Sequence, residues 1–391
     1  MIVSDFVKEQ ISFKETIEKN KNCLSQNIFD KKILVIGGAG TIGSSYIKQL
    51  LYFKPLNVTV VDINENGLAE LTRDLRSSNL LDYDPKYITY PVNLLSNVFD
   101  KIFYSQNWDV VANFSAHKHV RSEKDKISVE ALIRNNVFGA IKLLNLCSSR
   151  PPNFYFSVST DKAANPVNIM GASKSLMEKL IISKKSDFRV STARFANVAF
   201  SNGSLLDGFI YRLNKKQPLS CPSDIKRFFV TAEQSGEICL LATFLGNSGN
   251  IFFPKLNFNN DQIYFKDIAV DFLKQNKFKP FIVNSEKEAK NYDMSKNDDN
   301  YPIYFFKTDT SGEKSYEEFY TENENYVLNE FDSLGYVVPK DVSLLFNDVL
   351  HDFEEVFGDD NSVKNDIILV IKKYVDDFQH LETGKNLDQK M

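Results

Sequence analysis

The feature that most constrains the fold is a regular alternation of short strand-like runs with amphipathic helical stretches, which begins at Lys32. Apolar and β-branched residues dominate the runs, and polar residues separate them. This alternation is typical of right-handed βαβ units, in which helices cover both faces of a parallel sheet. We therefore predict a doubly wound α/β protein. The strand-like runs are KILVIGG, NVTVVD, YITYPVN, DVVANFSA, FYFSVST and FRVSTARFAN.

A glycine-rich stretch links the first strand to the next helix. In KILVIGGAGTIGSSYIKQLL, Gly37, Gly40 and Gly43 permit a tight turn and close approach of the backbone to a pyrophosphate at the helix N-terminus. The following strand ends in Asp62, and a carboxylate at this place suits ribose hydroxyls and repels a 2′-phosphate. The stretch predicts a Rossmann domain that binds NAD rather than NADP.

Changes in pattern along the chain suggest four parts. We predict an N-terminal helical lead (1–30), an NAD-binding Rossmann domain (31–196), a smaller and discontinuous substrate-binding part (197–338) and an acidic helical C-terminal tail (339–391). The turn signals SNGS, CPSD and GNSGN mark the third part. The alternating apolar and charged residues of LLFNDVLHDFEEVF indicate helices in the tail that pack against the rest of the protein.

Composition narrows the class of protein. The first ten residues mix charge with apolar residues, and apolar runs such as Ile367 to Ile371 are too short to cross a bilayer, so we expect a cytoplasmic protein without membrane insertion. Basic residues do not cluster, which argues against nucleic-acid binding. The four cysteines lie far apart and indicate neither a zinc site nor a disulfide framework; they are Cys23, Cys147, Cys221 and Cys239.

Five stretches in one order carry a family resemblance that covers about Lys31 to Tyr320. They resemble the polysaccharide and capsule-biosynthesis branch of the extended short-chain dehydrogenases, and in particular its UDP-N-acetylglucosamine 4,6-dehydratases. Several members of that branch carry membrane helices before the Rossmann domain, and we expect this chain to be a soluble member without them. The stretches are ANFSAHKHV, STDKAANPVNIMGASK, RFANVAFSNGS, DIKRFFVT and TSGEKSYEEF.

The resemblance implies NAD-dependent 4,6-dehydration of a UDP-N-acetylhexosamine to a 4-keto-6-deoxy sugar, for surface glycan biosynthesis. Oxidation at C4 makes the C5 hydrogen acidic, so that a base and an acid can then eliminate water across C5 and C6. By resemblance, Lys162 takes the C5 proton and Asp161 protonates the C6 oxygen. Thr160 would contact the C4 hydroxyl, and Lys174 would hold the nicotinamide ribose.

Met170 departs from the usual pattern of the superfamily, in which a tyrosine stands four residues before the lysine and removes the C4 hydroxyl proton. A methionine thioether neither donates nor accepts that proton. Some dehydratases of the resembled branch also have methionine here, so we expect an active enzyme. Asp161, relayed through Thr160, is then predicted to take the first proton and later deliver it to C6.

Further site residues are predicted from the matching stretches. His117 and His119 lie two residues apart without a third ligand nearby. This arrangement favours pocket-lining roles over a metal site, and we predict no metal site. The planar guanidinium of arginine suits a diphosphate. The predicted cofactor contacts are Gly37, Gly40, Thr41, Ile42, Gly43, Asp62, Asn93, Ser115, Ala116, Lys118, Asn136 and Lys174. The predicted substrate contacts are His119, Met170, Arg194, Asn197, Ser204, Arg227 and Glu313.

The sequence leaves two alternative functions open and also predicts an assembly. A 4-epimerase would use the same C4 oxidation but would not need the pair formed by Asp161 and Lys162, and a non-catalytic nucleotide-sugar-binding subunit would need no proton transfer at all. The segments Glu123 to Cys147 and Gly171 to Lys184 occupy the places where this superfamily builds an intersubunit four-helix bundle. We therefore expect a homo-oligomer, either a dimer or a multiple of one.

Overall fold

A mostly parallel sheet with helices forms the centre of the molecule, as the alternating pattern predicts. The computed structural model describes residues 11–120, 123–257, 261–295, 299–308, 312 and 316–381. Its strands are β1 Lys32–Ile36, β2 Asn57–Asp62, β3 Lys86–Pro91, β4 Val110–Asn113, β5 Phe154–Val158, β6 Val190–Ala193, β7 Asn197–Val198, β8 Leu219–Pro222, β9 Lys226–Val230, β10 Ile251–Pro254, β11 Gln262–Tyr264, β12 Lys279–Val283, β13 Asn300–Phe306, β14 Tyr326–Val327 and β15 Leu334–Val337.

Helices cover both faces of this sheet. The helices are α1 Phe13–Lys19, α2 Lys21–Ile28, α3 Thr41–Leu51, α4 Glu65–Ser77, α5 Asn97–Tyr104, α6 Lys126–Ile133, α7 Gly139–Ser149, α8 Ile169–Ile182, α9 Leu205–Asn214, α10 Ala232–Phe244, α11 Phe265–Gln275, α12 Glu286–Lys290, α13 Phe346–Gly358 and α14 Lys364–Tyr374. A π-helical turn, Arg134–Phe138, joins α6 to α7, and a 3₁₀ turn, Asp161–Ala163, follows β5.

The order of the strands places the functional edge of the sheet. Within the described parts of the chain, the main sheet runs β14-β15-β10-β6-β5-β4-β1-β2-β3. The strands from β3 to β10 in this order are parallel, whereas β15 pairs antiparallel with β10 and β14 pairs antiparallel with β15. The chain winds in opposite directions from β1, to β2 on one side and to β4 on the other. Such a reversal opens a crevice beyond the carboxyl ends of the strands, where open α/β sheets bind ligands.

The chain beyond β6 builds two small sheets beside this crevice. The order of one is β11-β9-β7 and that of the other is β12-β13-β8. A separate apolar cluster, which includes Leu206, Phe209 and Phe272, packs α9 and α11 against these strands. The predicted boundaries at residues 30, 196 and 338 stay predictions.

The C-terminal helices pack on one face of the main domain. Phe353 of α13 and Ile371 of α14 lie in the same apolar cluster as Leu132 of α6 and Leu176 of α8. The rim of this contact is polar, and both guanidinium NH groups of Arg134 donate to the carboxylate of Glu354, at 2.7 and 2.8 Å. α13 and α14 thus cover part of the surface that we assigned to an intersubunit bundle. The oligomeric state stays a prediction.

The chain after α14 returns to the loop that precedes α8. The backbone NH of Gln379 donates to the carbonyl of Pro166 at 3.1 Å, and that of Leu381 donates to the carbonyl of Val167 at 3.0 Å. The carbonyl of Leu381 in turn accepts from Gly312 NH at 3.0 Å. These bonds tie the end of the described chain to a loop beside the crevice. Among the described helices, none has the length and apolar character that crossing a bilayer requires.

The packing of α14 predicts that two nearby aliphatic residues contribute unequally to the stability of the fold. Ile371 is fully buried and Leu369 is 57% exposed. We expect Ile371→Ala to lower the free energy of unfolding by about 2–5 kcal/mol, because it removes methylene groups and leaves a cavity. The control Leu369→Ala should change it by no more than about 0.5 kcal/mol. Urea denaturation measures both, and equal effects would show that α14 is not docked as described.

Candidate active site

A cavity of about 980 Å³ lies at the carboxyl ends of the parallel strands. Gly37 follows β1, Asp62 ends β2, Ala116 follows β4 and Ser159 follows β5, and all four residues line it. The small sheets close the opposite wall through Asn197 and other residues. The predicted site residues that reach the cavity are Gly37, Gly40, Thr41, Ile42, Gly43, Asp62, Ala116, Lys118, His119, Thr160, Asp161, Lys162, Met170, Lys174, Asn197, Ser204 and Arg227.

The glycine-rich turn forms a cradle whose backbone packs too closely against its neighbours for side chains at Gly37 and Gly43. Gly37 has φ +73°, and a Cβ there would stand 2.5 Å from the backbone nitrogen of Ser115. A Cβ on Gly43 would stand 2.4 Å from the Gly37 carbonyl oxygen. α3 starts after Gly40 without a side-chain cap, so its first amides can meet a phosphate. These features fit a dinucleotide.

Asp62 is held in place by the same turn. Its carboxylate accepts a hydrogen bond from Ala39 NH and another from Asn64 NH, each at 2.9 Å. The carboxylate is thereby fixed beside the cavity, where a ribose of a bound dinucleotide would lie.

Three predicted cofactor contacts do not line the cavity. The Asn93 side chain accepts from Leu95 NH at 2.8 Å and shapes the turn before α5. Ser115 is part of the backbone wall behind Gly37. Asn136 lies in the π-helical turn and is buried; its amide accepts from His117 NH at 2.9 Å and donates to Ser173 at 3.0 Å. Asn136 therefore positions the loop after β4 against α8, and nothing in its placement indicates cofactor contact.

Lys174 is buried at the floor of the cavity. Its ammonium donates to the Val158 carbonyl at 2.9 Å. Burial lowers the pKa of Lys174 to about 8, although nearby Glu178 opposes the shift. An ammonium with spare donors at this depth suits the hydroxyls of a bound ribose.

The strand β5 delivers the predicted acid and base to the cavity. The Thr160 backbone is extended, and its hydroxyl caps the 3₁₀ turn that carries Asp161 and Lys162. The Thr160 hydroxyl donates to Asp161 Oδ1 at 2.6 Å, and Lys162 Nζ lies 3.3 Å from the same oxygen. The sequence thus places a hydroxyl, a carboxylate and an amine in contact over three consecutive residues.

Sequence reasoning missed Glu317, which completes this cluster from a distant part of the chain. Its Oε1 lies 2.9 Å from Lys162 Nζ and 2.9 Å from Arg227 Nε. The side chain is 3% exposed. Glu317 belongs to TSGEKSYEEF, one of the stretches that carry the family resemblance, so the sequence did indicate that this segment could contribute to the site. We predicted Glu313 from it, and Glu313 lies outside the described residues.

The charged groups of the cluster shift one another's pKa values. Burial and the negative charge of Asp161 raise the pKa of Glu317 to about 7. Burial opposes ionisation of Asp161 and Lys162 as well, but the charge of Lys162 holds the pKa of Asp161 below its usual value, and both carboxylates hold that of Lys162 above its usual value. Lys162 is therefore an ammonium in the resting site.

Met170 lines the cavity at the first turn of α8 and is 3% exposed. Its backbone NH donates to Glu123 Oε1 at 2.8 Å, and the NH of Ile169 donates to Oε2 of the same carboxylate. The α8 N-cap, Asn168, accepts from Gly171 NH at 2.7 Å. These bonds fix Met170 in the wall of the cavity. Its thioether contributes to the shape of the cavity but has no acidic proton.

The structure places Arg194 away from the cavity, and its predicted contact with substrate stays a prediction. Arg194 is 3% exposed and does not line the cavity. Its guanidinium is paired with Glu178 at 2.7 Å and Glu324 at 2.9 Å, and it also donates to the Phe319 carbonyl. The pattern of the sequence could not distinguish a buried ion pair from a ligand contact. Arg212, which sequence reasoning did not name, does line the cavity.

A family model matches most of the chain. The model is described as polysaccharide biosynthesis protein and matches residues 33–339. An uncharacterized membrane protein of Methanocaldococcus jannaschii is 31% identical over 79% of this chain and 86% of its own length. Two longer relatives also match, and the chain spans about half of their length.

Two further relatives have named activities. A UDP-N-acetylglucosamine 4,6-dehydratase (inverting) of Campylobacter jejuni is 29% identical over 58% of this chain and 67% of its own. A UDP-glucose 4-epimerase of Rickettsia bellii is 28% identical over 77% of this chain and 93% of its own. The relatives therefore include nucleotide-sugar dehydratases and epimerases.

Solved structures share the fold. Pen from Bacillus thuringiensis superimposes with a TM-score of 0.65 at 23% identity, over 80% of this chain and 90% of its own. WbmF from Bordetella bronchiseptica, solved in complex with NAD⁺, gives 0.52 at 17% identity, over 64% of this chain and 81% of its own. These likenesses confirm the predicted Rossmann-type α/β fold.

The buried pair of Arg194 predicts a structural role for that residue. We expect Arg194→Met to lower the free energy of unfolding by about 3–5 kcal/mol, because Glu178 would keep a buried charge without its partner. Arg73→Met is the control; it removes a pair with Glu70 in which both side chains are 74% exposed, and should change stability by about 0–1 kcal/mol. Urea denaturation gives both values. A large rise in substrate KM for Arg194→Met at unchanged stability would restore the predicted substrate contact.

Proposed function

Because the chain belongs to the polysaccharide biosynthesis protein family, we propose that it is an NAD-dependent 4,6-dehydratase of a UDP-N-acetylhexosamine. UDP-N-acetylglucosamine is the proposed substrate, and a 4-keto-6-deoxy sugar nucleotide for surface glycan synthesis is the proposed product. One observation carries the proposal: Asp161 and Lys162 lie 3.3 Å apart at the end of β5, in the cavity that the glycine cradle also lines. The dehydratase of Campylobacter jejuni supports it.

The cradle residues would hold the cofactor. The tight turn at Gly37, Gly40 and Gly43 would bring the first amides of α3 to the pyrophosphate, Asp62 would bind the adenosine ribose, and Lys174 the nicotinamide ribose. When bound, NAD⁺ would accept the hydrogen of C4 as hydride and return it to C6. The protein supplies the proton transfers.

Asp161 is the proposed acid and base for the two hydroxyl groups. Met170 cannot take the C4 hydroxyl proton, whereas the Thr160 hydroxyl, 2.6 Å from Asp161, can pass it to the carboxylate. Asp161 then holds the proton that the C6 hydroxyl needs when it leaves as water. One carboxylate serves both steps, since the first step supplies the proton that the second consumes.

Lys162 is the proposed base at C5. Once C4 is a ketone, its amine takes the C5 proton, and the C6 hydroxyl leaves. The same ammonium later returns a proton to C5. A 4-epimerase needs neither the acid nor this base, so the pair favours dehydration over the activity of the Rickettsia bellii relative.

The product of the purified protein tests the proposal. Mass spectrometry after incubation with UDP-N-acetylglucosamine should show the loss of one water, and NMR should show a 4-keto-6-deoxy sugar. An isomer of unchanged mass would identify an epimerase, and unchanged substrate a binding protein; either result refutes the proposal.

The assignment of Asp161 predicts unequal effects of two substitutions. Asp161→Asn should lower kcat by about 100- to 10,000-fold, because an amide cannot carry the proton. Met170→Ala should have a much smaller effect, since the methionine only shapes the cavity. Steady-state kinetics measures both, and equal losses would mean that the proton travels by another route.

The assignment of Lys162 predicts a stalled reaction. Lys162→Ala should still permit oxidation at C4, so NADH absorbance should accumulate on mixing with substrate while no dehydrated product forms. In heavy water the wild type should incorporate deuterium at C5 and the variant should not. Dehydrated product carrying deuterium at C5, formed by the variant near the wild-type rate, would place the base elsewhere.

A further inference from the structure

Lys162 cannot act as a base in the protonation state that the site gives it. Asp161 lies 3.3 Å and Glu317 2.9 Å from its Nζ, and both carboxylates raise its pKa. An ammonium has no lone pair and cannot take a proton from C5. A group in contact with Lys162 must therefore accept its proton before the elimination.

Glu317 has the geometry of that acceptor. Its Oε1 is 2.9 Å from Lys162 Nζ, which is closer than either oxygen of Asp161, at 3.3 and 3.4 Å. The side chain is 3% exposed, so solvent screens it little. Arg227, 2.9 Å from the same oxygen, and the Asn197 amide, 3.4 Å away, fix the carboxylate in this position.

We propose that Glu317 accepts the ammonium proton of Lys162 and so converts it to the neutral amine that removes the C5 proton. This inference rests on the proposed dehydratase function. Glu317 acts through Lys162, and we class it as a positioning residue that also sets the protonation state of the base. Neither the resemblance nor the comparisons assign it this role.

The closed site favours the transfer. When Asp161 takes the C4 hydroxyl proton, it loses the charge that raises the pKa of both Lys162 and Glu317, so its effects on the proton donor and on the proton acceptor oppose each other. Substrate and cofactor displace water from the cavity, and a dry environment disfavours an ion pair relative to its neutral form. The proton then moves from Nζ to Oε1, which gives an amine and a carboxylic acid.

The protons balance over the whole cycle. Lys162 takes one proton from C5 and returns one to C5 when hydride has reached C6. Asp161 takes one proton from the C4 hydroxyl and gives it to the leaving water. Glu317 finally returns its proton to Lys162, which restores the resting ion pair without any further reactant. Burial and the charge of Asp161 raise the pKa of Glu317, which brings it closer to that of Lys162 and so lowers the cost of the transfer between them.

The test is the pH dependence of the elimination in Glu317→Gln. In a single turnover, the rise of NADH absorbance reports C4 oxidation, and the later decay of that absorbance reports the elimination and hydride return. The rise should keep its wild-type rate in the variant. At pH 7 we expect the decay to be about 100-fold slower, within the usual range for general base catalysis. The wild-type decay should level off above about pH 7. That of the variant should keep rising, about tenfold per pH unit, since Lys162 must lose its proton to water.

Two variants complete the experiment. Glu317→Asp keeps a carboxylate and should restore the level profile. Glu324→Gln, in the same segment, removes the carboxylate charge from a pair with Arg194 outside the cavity and should leave the wild-type profile. A thermal melt shows whether each variant is folded at the assay temperature.

The outcomes separate this inference from the proposed function. A Glu317→Gln profile that is parallel to the wild type at every pH, whether slower or equal, overturns the proton transfer and leaves Glu317 a structural counter-ion. A wild-type protein that makes no 4-keto-6-deoxy sugar overturns the proposed function instead.

Discussion

A buried cluster of two acids and two bases holds the site together. Asp161 and Lys162 follow β5 of the main sheet, Arg227 lies on β9 of a small sheet, and Glu317 lies in the segment beyond β13. A charge in a dry interior is costly unless it is paired, and removal of one partner costs more than the pair itself contributes. The small sheet that contains β9 and the segment that contains Glu317 must therefore sit where they bring Arg227 and Glu317 to Lys162. The same contacts also shift the pKa values of Lys162 and Glu317.

Local sequence was sufficient to predict the parts of the site that local geometry creates. The cradle depends on Gly37 and Gly43, whose need for small side chains arises from contacts within one turn and its neighbouring strand. The triplet Thr160, Asp161 and Lys162 lies in adjacent positions at a strand end, so its contacts are fixed by the chain itself. The alternation of strands and helices predicted the main sheet for the same reason, since each βαβ unit is a short-range structure.

Contacts between residues that lie far apart in the sequence could not be predicted from it. Glu317 is 155 residues from Lys162 along the chain, and nothing near it shows that its carboxylate is buried against an amine. Arg194 and Arg227 occupy similar sequence contexts, yet one is enclosed by Glu178 and the other lines the cavity. Which arginine lines the cavity depends on the placement of residues far away in the sequence. Asn136 was predicted as a cofactor contact because its residue type suits a ligand as well as the backbone that it bridges in the structure, and that contact stays a prediction.

The hydrogen bonds between residues 379–381 and the Pro166–Val167 loop also set a limit on the order in which the protein matures. A ribosome makes the chain from its N-terminus at about 5–20 residues per second, and domains fold as they emerge. The main sheet, the cradle and the Thr160–Lys162 turn can all form before the C-terminal segment exists. The loop that leads into Met170 cannot gain its bonds to Gln379 and Leu381 until those residues have been released. The wall of the cavity that contains Met170 therefore gains these bonds only after residues 379–381 have been made, and a chain interrupted within α14 would carry a formed sheet and an unfinished cavity wall.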